Sequence, residues 1–461
     1  MIYLSTLLLE VFTLTGKIFH GLAAGLTAAA AMVMTGCSGV NFTIDGLLAA
    51  PALTDEQAQI RSALTSSVGR NITLKYPRGG ANRSAFVIAD LDGEPSEEAL
   101  VFYEYTGAEN EGIRMNLLDR NSDGSWYSVK ELAGAGNEIE QVVISAMGEG
   151  KDINILVGYQ NVTAENTLEI YSYSDGSLER IGTDTYSLLE TLDINSDGKD
   201  EIVTIQRSAD AETGAVSTRA YELKIDGGGI VRDDGIDMCG NVQSYIASYS
   251  GRLENGLPAV YIDELNTDGS LQTEIIYYKY SGLQNPVRLS SAKMLPACTR
   301  PTGYTCADLE GNGVYLVPTT VPMLGYENVI PEEQVLRTTW SRYEDFYEFV
   351  PVFSGYDSVT DGYTMVFPQR WSNDVTVKTD TETGEAVFYK YGGDINAVMT
   401  ELMRIKAVTK DETEDYRYKG YSLITSRGQV DYLVKLPTNK REQLILTIDE
   451  VQNNFYPTNR Y

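Results

Sequence analysis

The sequence predicts a mainly β protein: an N-terminal β-propeller of about five four-stranded blades, followed by a small α+β domain. Three observations lead there. A unit made of a strand, an acidic loop and a second strand recurs from Ala85 onward at a spacing of roughly fifty residues, the length of one blade. A second marker keeps the same beat: Asp123-Gly124, Asp175-Gly176, Asp226-Gly227 and Ser281-Gly282 each read as the tight turn between a unit's third and fourth strands. The composition agrees, with 31 Tyr and frequent Val, Ile and Thr, residues that suit pleated, half-buried surfaces. At 461 residues and 43% hydrophobic content, the chain has room for two or three ordinary cores.

Residues 18–35 form an Ala-rich apolar stretch preceded by Lys17 and followed by Gly36-Cys37-Ser38-Gly39. This resembles a bacterial lipoprotein signal ending in a lipobox, in which Cys37 carries the lipid and residues 1–36 are removed. A permanent membrane helix is the poorer reading, because the stretch is near the minimum spanning length and rich in Ala. Residues 37–53 are small and near-neutral, as a tether requires. Thr54-Asp55-Glu56-Gln57 is a capping box, and Ile60, Ala63 and Leu64 put an apolar stripe on a short helix to about Ser67.

The propeller, with this helix, is assigned to residues 54–355. A first strand at 72–76 ends at Pro77 and Gly79-Gly80. The five inner units run over 88–101, 144–157, 192–203, 246–262 and 306–317. The strand near Ile72, or one near Phe349-Val350, is placed to close the ring. Beyond Tyr356 the period is lost, and strands are expected at 363–368, 375–379, 386–391, 402–408, 421–424 and 430–436, with a hairpin turn at Thr383-Gly384. Thr447-Ile448-Asp449-Glu450 is a second capping box, opening a short helix to about Phe455. Residues 356–461 are assigned to the α+β domain.

The cleanest loop reads Asp193-Ile194-Asn195-Ser196-Asp197-Gly198-Lys199-Asp200-Glu201. Oxygens of Asp193, Asn195, Asp197 and Glu201 can converge on one hard cation, with the Lys199 carbonyl as a further ligand and Gly198 supplying the turn. An EF-hand would need a bidentate Glu at position 12 and a helix behind it, whereas Thr204 stands there inside the β-rich run 202–205. The loop therefore joins two strands. It resembles the FG-GAP/VCBS-type propeller repeats, whose Asp-x-Asp/Asn-x-Asp-Gly-x-x-Asp/Glu loop is followed directly by a strand. That resemblance implies calcium as the cofactor. Carried to the first unit, it implies ligands at Asp90, Asp92, Glu94 and Glu98, with Glu94 where Asp is usual and Pro95 in place of the turn glycine. In the fifth unit it implies Asp308, Glu310 and Asn312, with Leu316 at position 9, while the second and fourth units have lost the ligands. Residues 119–124 and 266–269 look similar but read as hairpin turns, because Tyr127 stands at position 9 of one and Gln272-Thr273 closely follow the other.

A net charge of −29 leaves nothing to neutralise a phosphate backbone, so nucleic acid is excluded as a partner, whereas divalent cations suit such acidity. The single histidine, His20, lies in the segment expected to be removed, which excludes histidine-dependent triads and histidine-ligated zinc. Cys239, Cys298 and Cys306 lack CxxC spacing and make no metal site; one disulfide with a leftover thiol and three buried thiols are both open. Exposed Tyr103, Tyr105, Tyr277, Tyr278, Tyr280, Trp340 and Tyr343 could stack on sugars, although alternating aromatics more often cover a blade face. The expected function is that of a cell-surface lipoprotein, a calcium-stabilised, non-enzymatic binding module of the bacterial envelope. It is expected to be extracytoplasmic, monomeric and held to the membrane by its lipid, with an unidentified protein or glycan ligand. The alternatives are a carboxylate-dependent glycoside hydrolase-like propeller and a structural or assembly subunit of an envelope complex.

Overall fold

The computed structural model describes residues 53–107, 112–147, 153–162, 165–209, 213, 216–226, 228–289, 298–344, 348–438 and 441–458. The expected signal segment, Cys37 and all but the last residue of the tether lie outside them. Apolar strands punctuated by glycine turns build six antiparallel sheets, each completed largely by consecutive strands. In the first, Glu98–Tyr105, Arg114–Arg120 and Trp126–Ala133 form a meander, and two short strands share the inner position, Phe86–Ala89 and Ile72–Leu74 pairing with opposite halves of Glu98–Tyr105. The second sheet is Glu138–Ala146, Ile153–Gln160, Asn166–Ser174 and Ser177–Tyr186. The third is Leu188–Leu192, Glu201–Ala209, Val216–Asp226 and Gly229–Arg232, with Ile236–Asp237 beside its third strand. The fourth is Val242–Arg252, Pro258–Asn266, Leu271–Lys279 and Gly282–Gln284.

These are the blades of a propeller-type fold, and the described turn markers fall on hairpin turns, the fourth one residue ahead of the expected Ser281-Gly282, since Gly282 already pairs with Lys279. Asp175 (φ 50°) and Gly176 (φ 71°) are both left-handed, as are Tyr280 (φ 55°) and Ser281 (φ 66°), giving the tight hairpins that match strand twist. Gly227 lies outside the described residues.

Successive sheets bury their faces against one another, so the middle strands are apolar on both sides. Leu100, Phe102 and Leu117 of the first sheet pack with Ile155, Val157 and Tyr171 of the second. The alternate residues Leu156, Leu168 and Ile170 pack with Ile202 and Leu223 of the third. Val203, Ile205 and Ala220 meet Val260, Ile262 and Ile276 of the fourth, whose Ala259, Tyr261 and Ile275 face Val317 and Tyr343 of the fifth. The inner strands are also tied edge to edge. Arg78 and Gly79 donate backbone N–H groups to the Ile139 and Glu140 carbonyls at 3.0 and 2.7 Å, Ser248 and Ser250 donate to the Glu190 carboxylate, and Arg252 N–H donates to Gly313 O at 2.8 Å. Gly251 is required at that last contact, because a Cβ there would stand 2.4 Å from the Gly313 carbonyl oxygen.

The fifth sheet is Val317–Pro322, Leu336–Glu344, Glu348–Ser358 and Tyr363–Val366, and the chain returns at its end to add Phe455–Pro457 as an outer strand. The sixth holds Val375–Asp380, Glu385–Lys390, Thr400–Thr409, Val430–Lys435 and Ser422–Arg427, with the short helices Thr413–Tyr418 and Ile448–Asn453. The division expected after residue 355 falls inside the strand Glu348–Ser358. Tyr363, Met365 and Phe455 of the fifth sheet share one core with Val377, Phe388 and Met403 of the sixth. The strand at Ile72 pairs within the first sheet and Phe349-Val350 within the fifth; no backbone pairing joins those two sheets among the described residues.

Both capping boxes form. Thr54 and Gln57 exchange hydrogen bonds of 3.2 Å at the start of Asp55–Val68, which buries Ile60 and Leu64, and Thr447 and Glu450 do the same for Ile448–Asn453. Cys239, Cys298 and Cys306 are free and buried. Cys306 N–H donates to Asp263 Oδ2 at 2.7 Å, and Asp263 forms a wholly buried ion pair with Arg300 at 2.6 Å. Burial, with the Asp263 charge beside it, pushes the Cys306 thiol well above its usual range, so it is an inert packing group.

Phe388 contacts the rings of Tyr356, Phe367 and Trp371 at 5.7, 6.3 and 5.8 Å, bridging the fifth and sixth sheets. Phe388→Ala should cost about 3–5 kcal/mol. In urea denaturation followed by tryptophan fluorescence, a single transition at a lowered midpoint is expected. A separate early transition for the sixth sheet would contradict the shared core.

Candidate metal centre

In the first and third blades the acidic loop leaves the inner strand and enters the second. In the first blade it brings Asp90, Asp92 and Glu98 together: one oxygen from each lies within 4.8 Å of the others. Among the described residues this is the only group of three acidic, thiol or imidazole side chains so placed. Backbone hydrogen bonds shape the loop, since Asp90 Oδ1 accepts from Gly93 N–H at 2.6 Å, Asp92 Oδ1 from Glu94 N–H at 2.9 Å, and Glu98 Oε2 from Leu91 N–H at 2.8 Å. Gly93, at φ 81°, makes the turn that Pro95 cannot. Glu98 is fully buried, and its other oxygen, Oε1, has no hydrogen-bond partner. Burial first, then the negative charges of Asp92, Asp119 and Asp90, push the Glu98 carboxyl up to about 7. An unpartnered buried carboxylate oxygen beside two further carboxylates is a cluster that a hard cation would complete. Glu94 is exposed and stands outside the group.

Asp119 was not visible as part of this cluster from the linear pattern. Residues 119–124 do form a hairpin turn, closed by Gly124 N–H to Asn121 O at 2.8 Å, as residues 266–269 do through Gly269 N–H to Asn266 O at 3.0 Å. The pairing of Ala99 with Leu118, however, sets Asp119 beside Glu98 on the neighbouring strand. Its Oδ2 accepts from Tyr127 OH at 3.1 Å and from Tyr173 OH of the second blade at 2.8 Å. The signal that could have found it is strand register, which the loop motif does not contain.

The third loop has the cleaner motif and the less convergent geometry. Asp193 Oδ1 and Oδ2 accept the N–H groups of Asp197 and Gly198, both at 2.9 Å, and Asp197 Oδ1 accepts Lys199 N–H at 3.0 Å. The Asn195 amide donates to Asp197 Oδ2 at 3.1 Å and to Glu201 Oε1 at 2.8 Å, standing between the two carboxylates. Glu201 is buried, its Oε2 is unpartnered, and its carboxyl is pushed up to about 7, chiefly by burial and then by the Asp197 charge. The neighbour across the strands is here a cation: the pairing of Ile202 with Leu223 puts Lys224 beside Glu201, and Lys224 also binds Glu222 at 3.0 Å.

The fifth loop repeats the third loop's backbone pattern. Asp308 accepts from the N–H groups of Asn312 and Gly313 at 3.1 and 2.8 Å, and the Asn312 amide donates to Glu310 at 3.2 Å. Leu316 is buried where the ninth ligand would stand. In the second blade Asn154 accepts Met147 N–H at 3.3 Å, the role Glu98 plays toward Leu91. The fourth blade makes the connection with a tight turn, Leu253 N–H to Leu257 O at 2.8 Å.

No family model matches the chain, and no curated protein matches it. Among solved structures it is similar to the Pseudomonas aeruginosa periplasmic gluconolactonase PpgL, at 12% identity over 65% of this chain and 80% of that one, with a TM-score of 0.25. It is similar to the BP39L lectin from Burkholderia pseudomallei at 13% identity, over 70% and 81% of the two chains, with a TM-score of 0.30. A third likeness is to the Bacillus licheniformis rhamnogalacturonan lyase PL11, at 10% identity over 71% and 77%, with a TM-score of 0.29. Likenesses this distant transfer no site and no activity to this chain.

The two buried glutamates fix a pH dependence for the metal-free protein. Each ionises near 4.5 when unfolded and near 7 when folded, so the folded state holds more protons between those values and stability falls as pH rises through that window. Each glutamate accounts for up to about 1.4 kcal/mol per pH unit there. Urea midpoints measured without metal from pH 4.5 to 8 should decline and then level off. Glu98→Gln should flatten part of the decline, and a midpoint that rises with pH would contradict the assignment.

Proposed function

We propose that the chain is a calcium-stabilised, non-enzymatic binding module built on a β-propeller, with the first loop as its principal cation site. The observation that carries this is the Asp90, Asp92 and Glu98 group, in which Glu98 is fully buried and one of its oxygens has no hydrogen-bond partner. Those residues fit a hard divalent cation: all donors are oxygens, one is held rigidly by Leu91 N–H, and Asp119 adds negative charge. The loop sequences, which resemble FG-GAP/VCBS-type repeats, support the same reading. So does the placing of the molecule's most buried acids. Asp263 is paired with Arg300, and Glu274 accepts the Cys239 N–H at 2.9 Å and the Asn285 amide at 2.8 Å, so these buried carboxylates are engaged in holding the fourth sheet. The same proposal puts the protein outside the cytoplasm, anchored through a lipid on Cys37, with its partner a protein or glycan of the envelope.

Calorimetry with calcium and with chelator tests the metal. With free calcium about a hundredfold above the dissociation constant, linkage gives about 2.7 kcal/mol, a rise of a few degrees in Tm for a domain of this size. Asp90→Asn with Glu98→Gln should abolish most of the shift, and Asp193→Asn with Asp197→Asn should leave most of it. Terbium in place of calcium should luminesce through Tyr127 and Tyr173 and lose that signal in the first pair only. Absence of any calcium effect in the wild type would end the proposal, and loss in the second pair alone would move the site to the third loop.

Lipid attachment is tested separately, by clickable fatty acid labelling of cells that make the wild type or Cys37→Ala. Label on the wild type and none on the variant is expected. Label surviving the substitution would remove the anchor from the proposal.

A further inference from the structure

A cavity of about 310 Å³ opens where the inner strand of the fourth blade, the fifth loop, the end of the strand Ser422–Arg427 and the returning C-terminal strand come together. Its lining includes Tyr249, Asp308, Tyr315, Arg427, Tyr456 and Thr458. The Arg427 guanidinium makes no hydrogen bond or ion pair with any of the described residues, and its Nη1 is buried without a partner. Other half-buried and buried arginines are engaged: Arg300 pairs with Asp263 at 2.6 Å, and Arg404 with Glu401 at 2.7 Å and Glu385 at 3.1 Å. A second group on the lining, Thr458 Oγ1, is also buried and unpartnered. Asp308, the one carboxylate on the lining, is already occupied by the Asn312 and Gly313 N–H groups at 3.1 and 2.8 Å. A half-buried guanidinium without an anion is costly, and a ligand carboxylate, whose two oxygens match its fork, relieves that cost.

The rest of the lining limits what carries the carboxylate. The Tyr249 and Tyr315 rings are stacked at 4.8 Å and 27°, forming an aromatic wall, and Tyr456 adds a third ring to the lining. A cavity at the small end of the ligand-binding range takes one ring and not a chain of them. We propose that this cavity binds a carboxylate carried on a single six-membered ring, with Arg427 clasping the carboxylate, Thr458 donating to it, and Tyr249 and Tyr315 walling the ring. A sugar acid and an aromatic acid share this chemistry. The proposal gives the binding module a ligand class and a place, and it does not depend on calcium at the first loop.

The test is titration of the purified chain in chelator, by calorimetry and ligand-observed NMR, with glucuronate, glucose, benzoate and benzyl alcohol. At least one acid should bind, its neutral counterpart should not, and whichever acid binds identifies the source as sugar or aromatic. Arg427→Gln should weaken binding tenfold or more with Tm unchanged, and Thr458→Val, which keeps the shape, should weaken it severalfold even if the arginine variant fails to fold. Three results would overturn the proposal: neither acid binds, acid and neutral analogue bind alike, or a folded Arg427→Gln keeps its affinity. Acid binding that requires calcium and disappears with Asp90→Asn and Glu98→Gln would also overturn it, since the metal would then be the holder.

Discussion

The second, third and fourth blades are each pressed between two neighbours, and that two-sided burial is the constraint from which the rest follows. A strand such as Ile153–Gln160 sends Ile155 and Val157 to one neighbour and Leu156 to the other, so the middle strands have almost no position for a free polar group. Several of the polar groups that do enter are held by partners. Glu169 is buried against Arg180 and Tyr171, and Asp263 against Arg300 and Thr273. Chemistry is thereby pushed to the loops, where the sheets end and water begins.

A residue at the start of the second strand sits on that boundary, and its identity sets what the loop can do. In the first three blades it is Glu98, Asn154 and Glu201, and at the comparable point of the fifth it is Leu316. Glu98 and Asn154 perform the same structural task, accepting a backbone N–H from seven residues earlier. The task needs only an acceptor oxygen. What distinguishes the first loop is the surplus: a second Glu98 oxygen left over, two aspartates beside it, and Asp119 where the third blade has Lys224. The first loop is an anchoring position with unspent negative charge, which the proposed cation would take up.

This explains how far the sequence could be read. Blade period, hairpin turns, capping boxes and loop positions are local features, written in a few adjacent residues, and they were legible. The linear motif ranked Asp193 to Glu201 above the first loop because it counts residue types at fixed offsets. It does not know that Asn195 turns its amide between two carboxylates, or that register brings Asp119 to Glu98 and Lys224 to Glu201. Arg427 and Thr458 were unreadable for the same reason, being brought to one cavity only by the return of the chain end. The division after residue 355 was drawn where periodicity fades, but hydrogen bonding continues across it through Glu348–Ser358.

The strand Phe455–Pro457 finds its partner, Tyr363–Val366, only after the whole sixth sheet has been made. Closing that long loop carries an entropy cost that grows slowly with its length, and the strand that repays it is made long after its partner. Blades one to four can each condense on the one before as the chain emerges, but the fifth keeps an unpaired edge until Phe455–Pro457 has emerged. The fifth blade is in this sense buttoned late: a chain cut before Phe455–Pro457 would leave Tyr363–Val366 as an open, sticky edge.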